Sequence, residues 1–245
     1  MSKIAFYTYN ILEEGTVTVT GDPDTGYIES RLHDRILPLL WKDTVTEAKD
    51  FIVDQGSTVL PVNFLAVVNH NFDAKALTWQ FSDAGSVYTS AVTDWTQSGN
   101  TQIEKTIASA LTHRYWKLAC ASIANPYCGE IFMSYGYEFT IDFADPPKIE
   151  DVENIQWTKT LGGVERSTKF GQKRRSRSYL IFLNSTNLAI FRTAMEYLDD
   201  YSKPFFFKDH EGSYFMARFN GPPKENPLTD EKGVTLVQVN ILEML

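Results

Sequence analysis

Short runs of β-branched and aromatic residues alternate with turn residues through the first half of the chain. The runs are GTVTVTG, TVLPVNFLAVVNH, ALTWQFSDAGSVYTSAV, YWKLACASI and GEIFMSYGYEF. Regularly spaced short strands of this kind are typical of a β-sandwich or jelly roll. FLAVVNH lacks alternation, which predicts a central strand buried on both faces, whereas TWQFSD alternates and predicts a strand with one exposed face.

The second part of the chain shows a different order of elements. A long hairpin is predicted from Ile155 to Leu183, followed by a helix over about residues 185–202 and then by the strands PFFFKD, YFMARF and VTLVQVNILE. Ser185 offers an N-cap oxygen and Pro204 closes the helical segment. Apolar residues at spacings of three and four predict that one helix face packs on a sheet; they are Leu188, Phe191, Met195 and Leu198.

An acidic segment separates these two patterns. DFADPPKIEDVEN contains Pro146-Pro147, which lack backbone donors and favour an extended chain. The sequence therefore predicts a mostly β protein with a jelly-roll β-sandwich over residues 1–145, a linker over 146–154, and a small α+β domain over 155–245 that has one helix packed on a β-sandwich.

Charge differs between the two parts. The 245 residues carry a net charge of −8. Residues 1–151 hold 10 basic and 20 acidic residues (−10), and residues 152–245 hold 13 and 11 (+2). The acidic total argues against wholesale nucleic-acid binding, and the asymmetry supports a division into two domains.

The cysteines and the first residues indicate the compartment. Cys120 and Cys128 fit neither a zinc-ligand nor a CxxC spacing, so both are expected to be reduced, with a disulfide as the alternative. MSKIAFYTYN lacks the features of a signal peptide, and no apolar run reaches the length of a membrane span. We expect a protein without a membrane span that is synthesised in the cytoplasm.

Motifs for catalysis are missing from the sequence. There is no GxSxG, HExxH, GxxxxGK[ST] or GxGxxG, and the four histidines are scattered at positions 33, 70, 113 and 210. Carboxylates for a glycosidase pair are available, but their spacing in sequence does not fix their separation in space. We therefore expect no enzyme, no catalytic residue and no cofactor.

An acidic turn offers oxygen ligands. Asp22, Asp24 and Glu29 in GDPDTGYIE could coordinate calcium or form a solvated turn. The solvated turn is the favoured interpretation, and no metal site is predicted.

Polar residues after the buried strand suggest sugar recognition. Asn69 and His70 end the run FLAVVNH, Asn71 follows it directly, and Trp95 offers an aromatic face for stacking. Trp79 and Tyr88 are further aromatic candidates, although Trp79 alternates with Phe81 and so also fits the core.

The most specific charge feature lies in the predicted hairpin. KFGQKRRSRS places five cations close together: Lys169, Lys173, Arg174, Arg175 and Arg177. Three interpretations remain: a solvated hairpin tip, a contact to the acidic domain of a neighbouring subunit, or a surface that faces phosphate. All three suit a protein that assembles. The complementary charges of the two domains, −10 and +2, favour a head-to-tail contact between copies, and such heterologous contacts close into rings.

Residues Tyr27 to Phe139 resemble a discoidin-like, galactose-binding-type jelly roll. The resemblance rests on VLPVNFLAVVNHNFDAKALTWQFSDAGSVY and HRYWKLACASIANPYCGEIFMSYGYEF. It implies a buried strand that leads into a ligand-side loop, in a family whose members either bind sugars or serve as architecture.

Residues Ile155 to Leu245 resemble the tail-tube-type domain of phage distal tail proteins. The resemblance rests on the order of hairpin, helix and strands and on KPFFF after the helix. It implies a hexameric ring in the virion that joins the tail tube to the tail tip or baseplate, contacts tube, hub and tape-measure proteins, and surrounds passing DNA. The alternative is a carbohydrate-binding module that attaches a virion to a host glycan. In the family the tube-type domain comes first, whereas here it is predicted to come second.

Overall fold

Antiparallel β-strands make up most of the protein, which confirms the predicted fold class. The computed structural model describes residues 3–21, 23–141, 147–159, 165–199, 201–228 and 233–244. Within these residues no helix is long and apolar enough to cross a membrane. Cys120 and Cys128 are both buried and free.

The chain forms two compact units that differ from the predicted division. Tyr7–Gly136 form one unit, here called the inserted unit, and Met1–Phe6 together with Tyr137–Leu245 form the other, the terminal unit. The predicted jelly roll over residues 1–145 includes Lys3–Tyr7, because a short apolar segment carries no information about which strand it pairs with. The unit that was predicted to come second therefore also contains the first strand of the chain.

The first thirteen strands and a short helix precede the hairpin. They are β1 (Lys3–Tyr7), α1 (Ile11–Glu14), β2 (Thr16–Val19), β3 (Trp41–Lys42), β4 (Glu47–Asp54), β5 (Val62–Val68), β6 (Ala76–Ser82), β7 (Thr89–Ser90), β8 (Trp95–Thr96), β9 (Ile103–Leu111), β10 (Tyr115–Ile123), β11 (Tyr127–Cys128), β12 (Glu130–Ser134) and β13 (Tyr137–Thr140). A short 3-10 helix covers Glu29–Leu32.

The inserted unit is a β-sandwich. One sheet has the order β2-β4-β10-β6-β7 with β8 also on β6, another has the order β12-β5-β9, and β11 pairs with β3. Alternate residues of β4, β6 and β10 are buried, among them Phe51, Trp79 and Trp116. The central position of β5 and its burial confirm the interpretation of FLAVVNH. In β6 the alternation holds only in part: Trp79 is buried and Thr78 and Gln80 are partly exposed, but Phe81 is also partly exposed and Ser82 is buried.

The terminal unit is built on one eight-stranded sheet. Its later elements are β14 (Lys148–Lys159), β15 (Glu165–Asn184), α2 (Ser185–Glu196), β16 (Phe205–Lys208), β17 (Tyr214–Phe219), β18 (Lys224–Pro227) and β19 (Val234–Glu243). The strand order is β13-β1-β16-β17-β19-β15-β14, with β18 also on β19. The predicted order of hairpin, helix and three strands is confirmed, and β18 is added.

The segment predicted as a linker is instead a strand. Residues 148–154 form the first part of β14, while residue 146 lies outside the described residues. Favourable cross-strand pairing with β15 outweighs the weak strand propensity of the acidic residues. The hairpin therefore starts at Lys148 rather than at Ile155.

Phe6 of β1 lies at the centre of the terminal core. Its ring centroid is 5.2 Å from that of Phe207, 5.8 Å from Phe205 and 6.0 Å from Phe191 of α2. This packing explains why the first strand belongs to the terminal unit.

The helix was predicted well, but its ends differ. Phe191, Met195 and Leu198 are buried in the terminal core, as the stripe predicted, and Leu188 is partly buried against it. Asn184, rather than Ser185, is the N-cap, since its side-chain oxygen accepts from the Asn187 N–H at 2.8 Å. The helix ends at Glu196 and is followed by turns, so it is shorter than the predicted 185–202.

Candidate functional site

A two-stranded β ribbon extends from the sheet of the terminal unit. β14 pairs with β15 along its length, whereas β15 pairs with β19 only through Ser176–Asn184. Residues 165–175 of β15 therefore pair with β14 alone. We call β14 together with Glu165–Arg175 the ribbon. Within the described residues, its outer β14 edge has no strand partner.

Cross-strand ion pairs neutralise part of the basic run. Lys169 Nζ lies 3.3 Å from Glu153 Oε1, and Lys173 Nζ lies 2.7 Å from Asp151 Oδ2. The hydrogen bond with Asp151 raises the pKa of Lys173 and lowers that of Asp151. These ion pairs were not predicted from the sequence. The acidic segment KIEDVE, which directly precedes a basic hairpin strand, is the signal that could have indicated them.

The three arginines of the run have different environments. Arg174 is exposed, and Arg175 Nε lies 3.7 Å from Glu243 Oε2. Arg177 is only 6% exposed. Its Nη1 donates to the Ser176 carbonyl oxygen at 3.1 Å, and its Nε has no hydrogen-bond partner among the described residues. Arg177 is therefore poorly placed for an outward contact.

The β14 strand also exposes apolar side chains. Ile149 is 49% exposed, Val152 44% and Ile155 38%. A bulge between Val152 and Asn154 interrupts the pairing with β15. The ribbon therefore combines an open strand edge, exposed apolar groups and exposed charge.

The candidate sugar residues of the inserted unit lie in loops that are tied together. Asn69 donates its side-chain amide to the Leu37 carbonyl oxygen at 2.9 Å. Asn71 donates to the Asn125 carbonyl oxygen at 3.0 Å and accepts from the Tyr127 N–H at 2.9 Å. These bonds use much of the hydrogen-bonding capacity that a sugar would need.

His70 is buried between the same loops. Its Nδ1 accepts from the Phe72 N–H at 3.1 Å, and its Nε2 lies 2.7 Å from the Thr101 carbonyl oxygen. A neutral ring with the proton on Nε2 satisfies both contacts. Burial lowers the pKa of His70, which favours this neutral form.

Trp95 lies close to the loop cluster, defined as residues 69–75, 97–101 and 125–127. It pairs with Leu77 through β8 and β6, and the adjoining Gln97 carbonyl accepts from the Ala74 N–H at 2.9 Å. Its ring is partly exposed, and Lys105 Nζ lies 4.5 Å from the ring centroid. The indole N–H is buried without a hydrogen-bond partner in the described part of the chain. Asn69, His70 and Asn71 thus lie within the loop cluster, and Trp95 precedes its segment 97–101 in the chain.

The other candidates from the sequence are not assembled into a site. Asp22 lies outside the described residues, and Asp24 Oδ1 accepts from the Thr25 N–H at 2.8 Å. No group of three metal-ligating side chains occurs among the described residues. Trp79 is fully buried, in accordance with its core interpretation.

The similar solved structures include carbohydrate-binding modules that match about half of the chain. The module CpGH89CBM32-6 produced by Clostridium perfringens is 20% identical, covers 52% of this chain and 100% of its own, and gives a TM-score of 0.44. Chitosan-binding module 1 of a chitosanase/glucanase from Paenibacillus sp. IK-5 is 20% identical, covers 52% and 99%, and gives 0.43. A GH29 fucosidase from Ruminococcus gnavus is 13% identical over 53% of this chain and 27% of its own, with 0.44. No family model and no curated protein matches the chain. Likenesses this distant leave the function open.

Proposed function

We propose that the protein is a structural, non-catalytic virion component that forms a ring at the distal end of a phage tail. The ribbon carries this proposal, because an isolated two-stranded ribbon is only marginally stable in water and open strand edges favour pairing with another chain. The assignment of this ring to a phage tail is based on the resemblance of residues 155–245 to tail-tube-type domains. The ring would join the tube to the tip or baseplate, contact other tail proteins and surround passing DNA.

The chain topology supports the same proposal. In phage distal tail proteins the tube-type domain comes first, and here β1 belongs to the terminal unit. The inserted unit is thus an insertion between β1 and β13 rather than a preceding domain. The first strand of the terminal unit thus precedes the inserted unit, whereas residues 137–245 follow it.

Charge complementarity favours contact between copies. The ribbon carries seven basic and four acidic residues (+3), whereas Tyr7–Gly136 carry eight and fifteen (−7). Cross-strand pairing leaves Arg166 and Arg174 without an ion pair among the described residues. A basic ribbon against an acidic unit of the next copy is a heterologous contact, which closes into a ring.

Light scattering of the full-length protein tests the ribbon. We expect rings of about six copies for the wild type, weakened by salt. Val152→Lys places a charge on the open edge and should reduce the mass towards the monomer. Ile190→Lys is the matched control, because Ile190 is 42% exposed on α2, outside both the ribbon and the inserted unit, and it should assemble like the wild type. A ring that persists in Val152→Lys would show that the ribbon edge is not the contact.

The second candidate function is glycan attachment by the inserted unit. The partly exposed Trp95 ring, which precedes residues 97–101 of the loop cluster, is the observation that favours it. A partly exposed aromatic ring suits stacking on a sugar ring. Val87, which is 78% exposed in a loop of the inserted unit, provides the control variant. A glycan array on wild type, Trp95→Ala and Val87→Lys tests this role: selective loss of binding in Trp95→Ala supports it, and a wild type that binds no glycan excludes it.

A further inference from the structure

Lys49 is a fully buried lysine in the inserted unit. It lies on β4 in the same alternating row as the buried Phe51 and Val53, and its exposure is 0%. Lysine is almost never fully buried unless it is paired. Its ammonium group must therefore be satisfied within the protein.

Three oxygens surround the ammonium group. Nζ lies 2.5 Å from Asp43 Oδ2, 2.7 Å from Glu47 Oε1 and 3.1 Å from the Thr20 carbonyl oxygen. An ammonium has three N–H donors, so these acceptors match its full donor capacity. We call the three oxygens the cage.

Gly21 closes the cage. A Cβ at this position would lie 2.5 Å from Glu47 Oε1 and 2.6 Å from both Asp43 Oδ2 and Lys49 Nζ. The φ angle of Gly21 is +91°, which also disfavours other residues. Glycine is thus required for the backbone to approach the cation this closely.

The cage holds a charged lysine. Burial lowers the pKa of Lys49, but the hydrogen bonds with Asp43 and Glu47 raise it by more, and the resulting pKa lies above the ordinary value. Two carboxylates and a backbone carbonyl form the type of oxygen set that binds hard cations. Without the ammonium, the two carboxylates would face each other uncompensated.

We propose that the cage is a cation site that Lys49 fills with its own ammonium, and that it accepts calcium once this group is removed. The site uses different oxygens from the acidic turn that the sequence suggested, although Asp24 N–H is bonded to the Lys42 carbonyl next to Asp43. This inference is independent of the proposed ring and glycan functions. In the wild type, the Lys49 ammonium neutralises the carboxylates of Asp43 and Glu47. Without it, a bound metal ion could have this role.

Calcium titration of Lys49→Ala tests the proposal. The smaller side chain removes the charge and leaves space, and three protein ligands predict weak binding, with a Kd of ~10⁻³ M. We expect saturating calcium to raise the melting temperature of Lys49→Ala by about 5 °C and to leave the wild type unchanged. Lys49→Ala combined with Asp43→Asn is the control and should not respond.

The outcomes are distinguishable even if the variant folds poorly. Lys49→Ala would then be denatured in urea and diluted into buffer with and without calcium chloride, and circular dichroism would report recovery. Recovery that depends on calcium and on Asp43 supports the proposal. No response of Lys49→Ala to calcium, or an equal response in the Asp43→Asn background, overturns it.

Discussion

The ribbon and the loop cluster are both rich in polar residues, but the polar groups of the loop cluster bond within the fold, whereas many of those in the ribbon are exposed. In the loop cluster, His70 and Asn71 hold neighbouring segments together through hydrogen bonds to backbone groups. In the ribbon, charged groups are exposed and the β14 edge has no partner among the described strands. A binding surface needs donors, acceptors or strand edges that the fold has not already used.

Because of this difference, the polar residues of the loop cluster should matter for folding stability and those of the ribbon for association. Removing a buried polar group leaves its former partners unsatisfied, which costs more than the hydrogen bond itself contributes. Exposed charges contribute little to folding and can instead set the rate and specificity of association. Substitutions in the loop cluster should therefore destabilise the fold, whereas substitutions in the ribbon should affect assembly.

The largest effect is expected for His70→Ala. The change removes a buried ring, leaves the Phe72 N–H and the Thr101 carbonyl unsatisfied, and should lower the free energy of unfolding by about 2–4 kcal/mol. Urea denaturation followed by tryptophan fluorescence measures it well, because four of the five tryptophans lie in the inserted unit. Unchanged stability together with lost glycan binding would instead identify His70 as a ligand contact.

Asn71→Ala should have a smaller effect of the same kind. It leaves the Asn125 carbonyl and the Tyr127 N–H without their side-chain partner, but Asn71 is partly exposed whereas His70 is buried. We expect a loss of about 1–2 kcal/mol in the same assay. Asn100→Ala in a neighbouring loop is a suitable comparison, since Asn100 makes one bond of this type, from the Asp73 N–H.

Acidification should weaken the inserted unit through His70. Burial lowers the pKa of His70 in the folded state, so the unfolded chain takes up the proton first as the pH falls below the ordinary value of about 6.5. The stability contribution is complete above that pH and is lost as the pH falls through the folded pKa. Urea midpoints at about pH 7.5 and about pH 5.5 should differ more for the wild type than for His70→Gln. His33, whose pKa burial also lowers, is present in both proteins, so an equal difference would exclude His70 as the cause.

Local patterns predicted the elements, but long-range partners could not be read from them. The burial of β5 and the stripe of Phe191 and Met195 follow from composition and periodicity, and the structure confirms both. The place of β1 depends on Phe6 packing against residues far along the chain. The Lys49 cage and the Lys173–Asp151 pair likewise require the strand register, which the sequence does not specify.

The smallest effect on folding is expected for Lys173→Ala. Its ion pair with Asp151 is exposed on both sides, and such pairs contribute little once solvent and salt screen them. The urea midpoint should remain unchanged, while the mass distribution in light scattering should shift at low salt if the basic face of the ribbon takes part in assembly. Lys224→Ala, which removes an exposed charge of the same sign from β18, outside the ribbon, serves as the comparison for a nonspecific effect of net charge. A clear loss of folding stability in Lys173→Ala would show that the cross-strand pairs hold the ribbon together, and that its charges are structural in the same sense as the amides of the loop cluster.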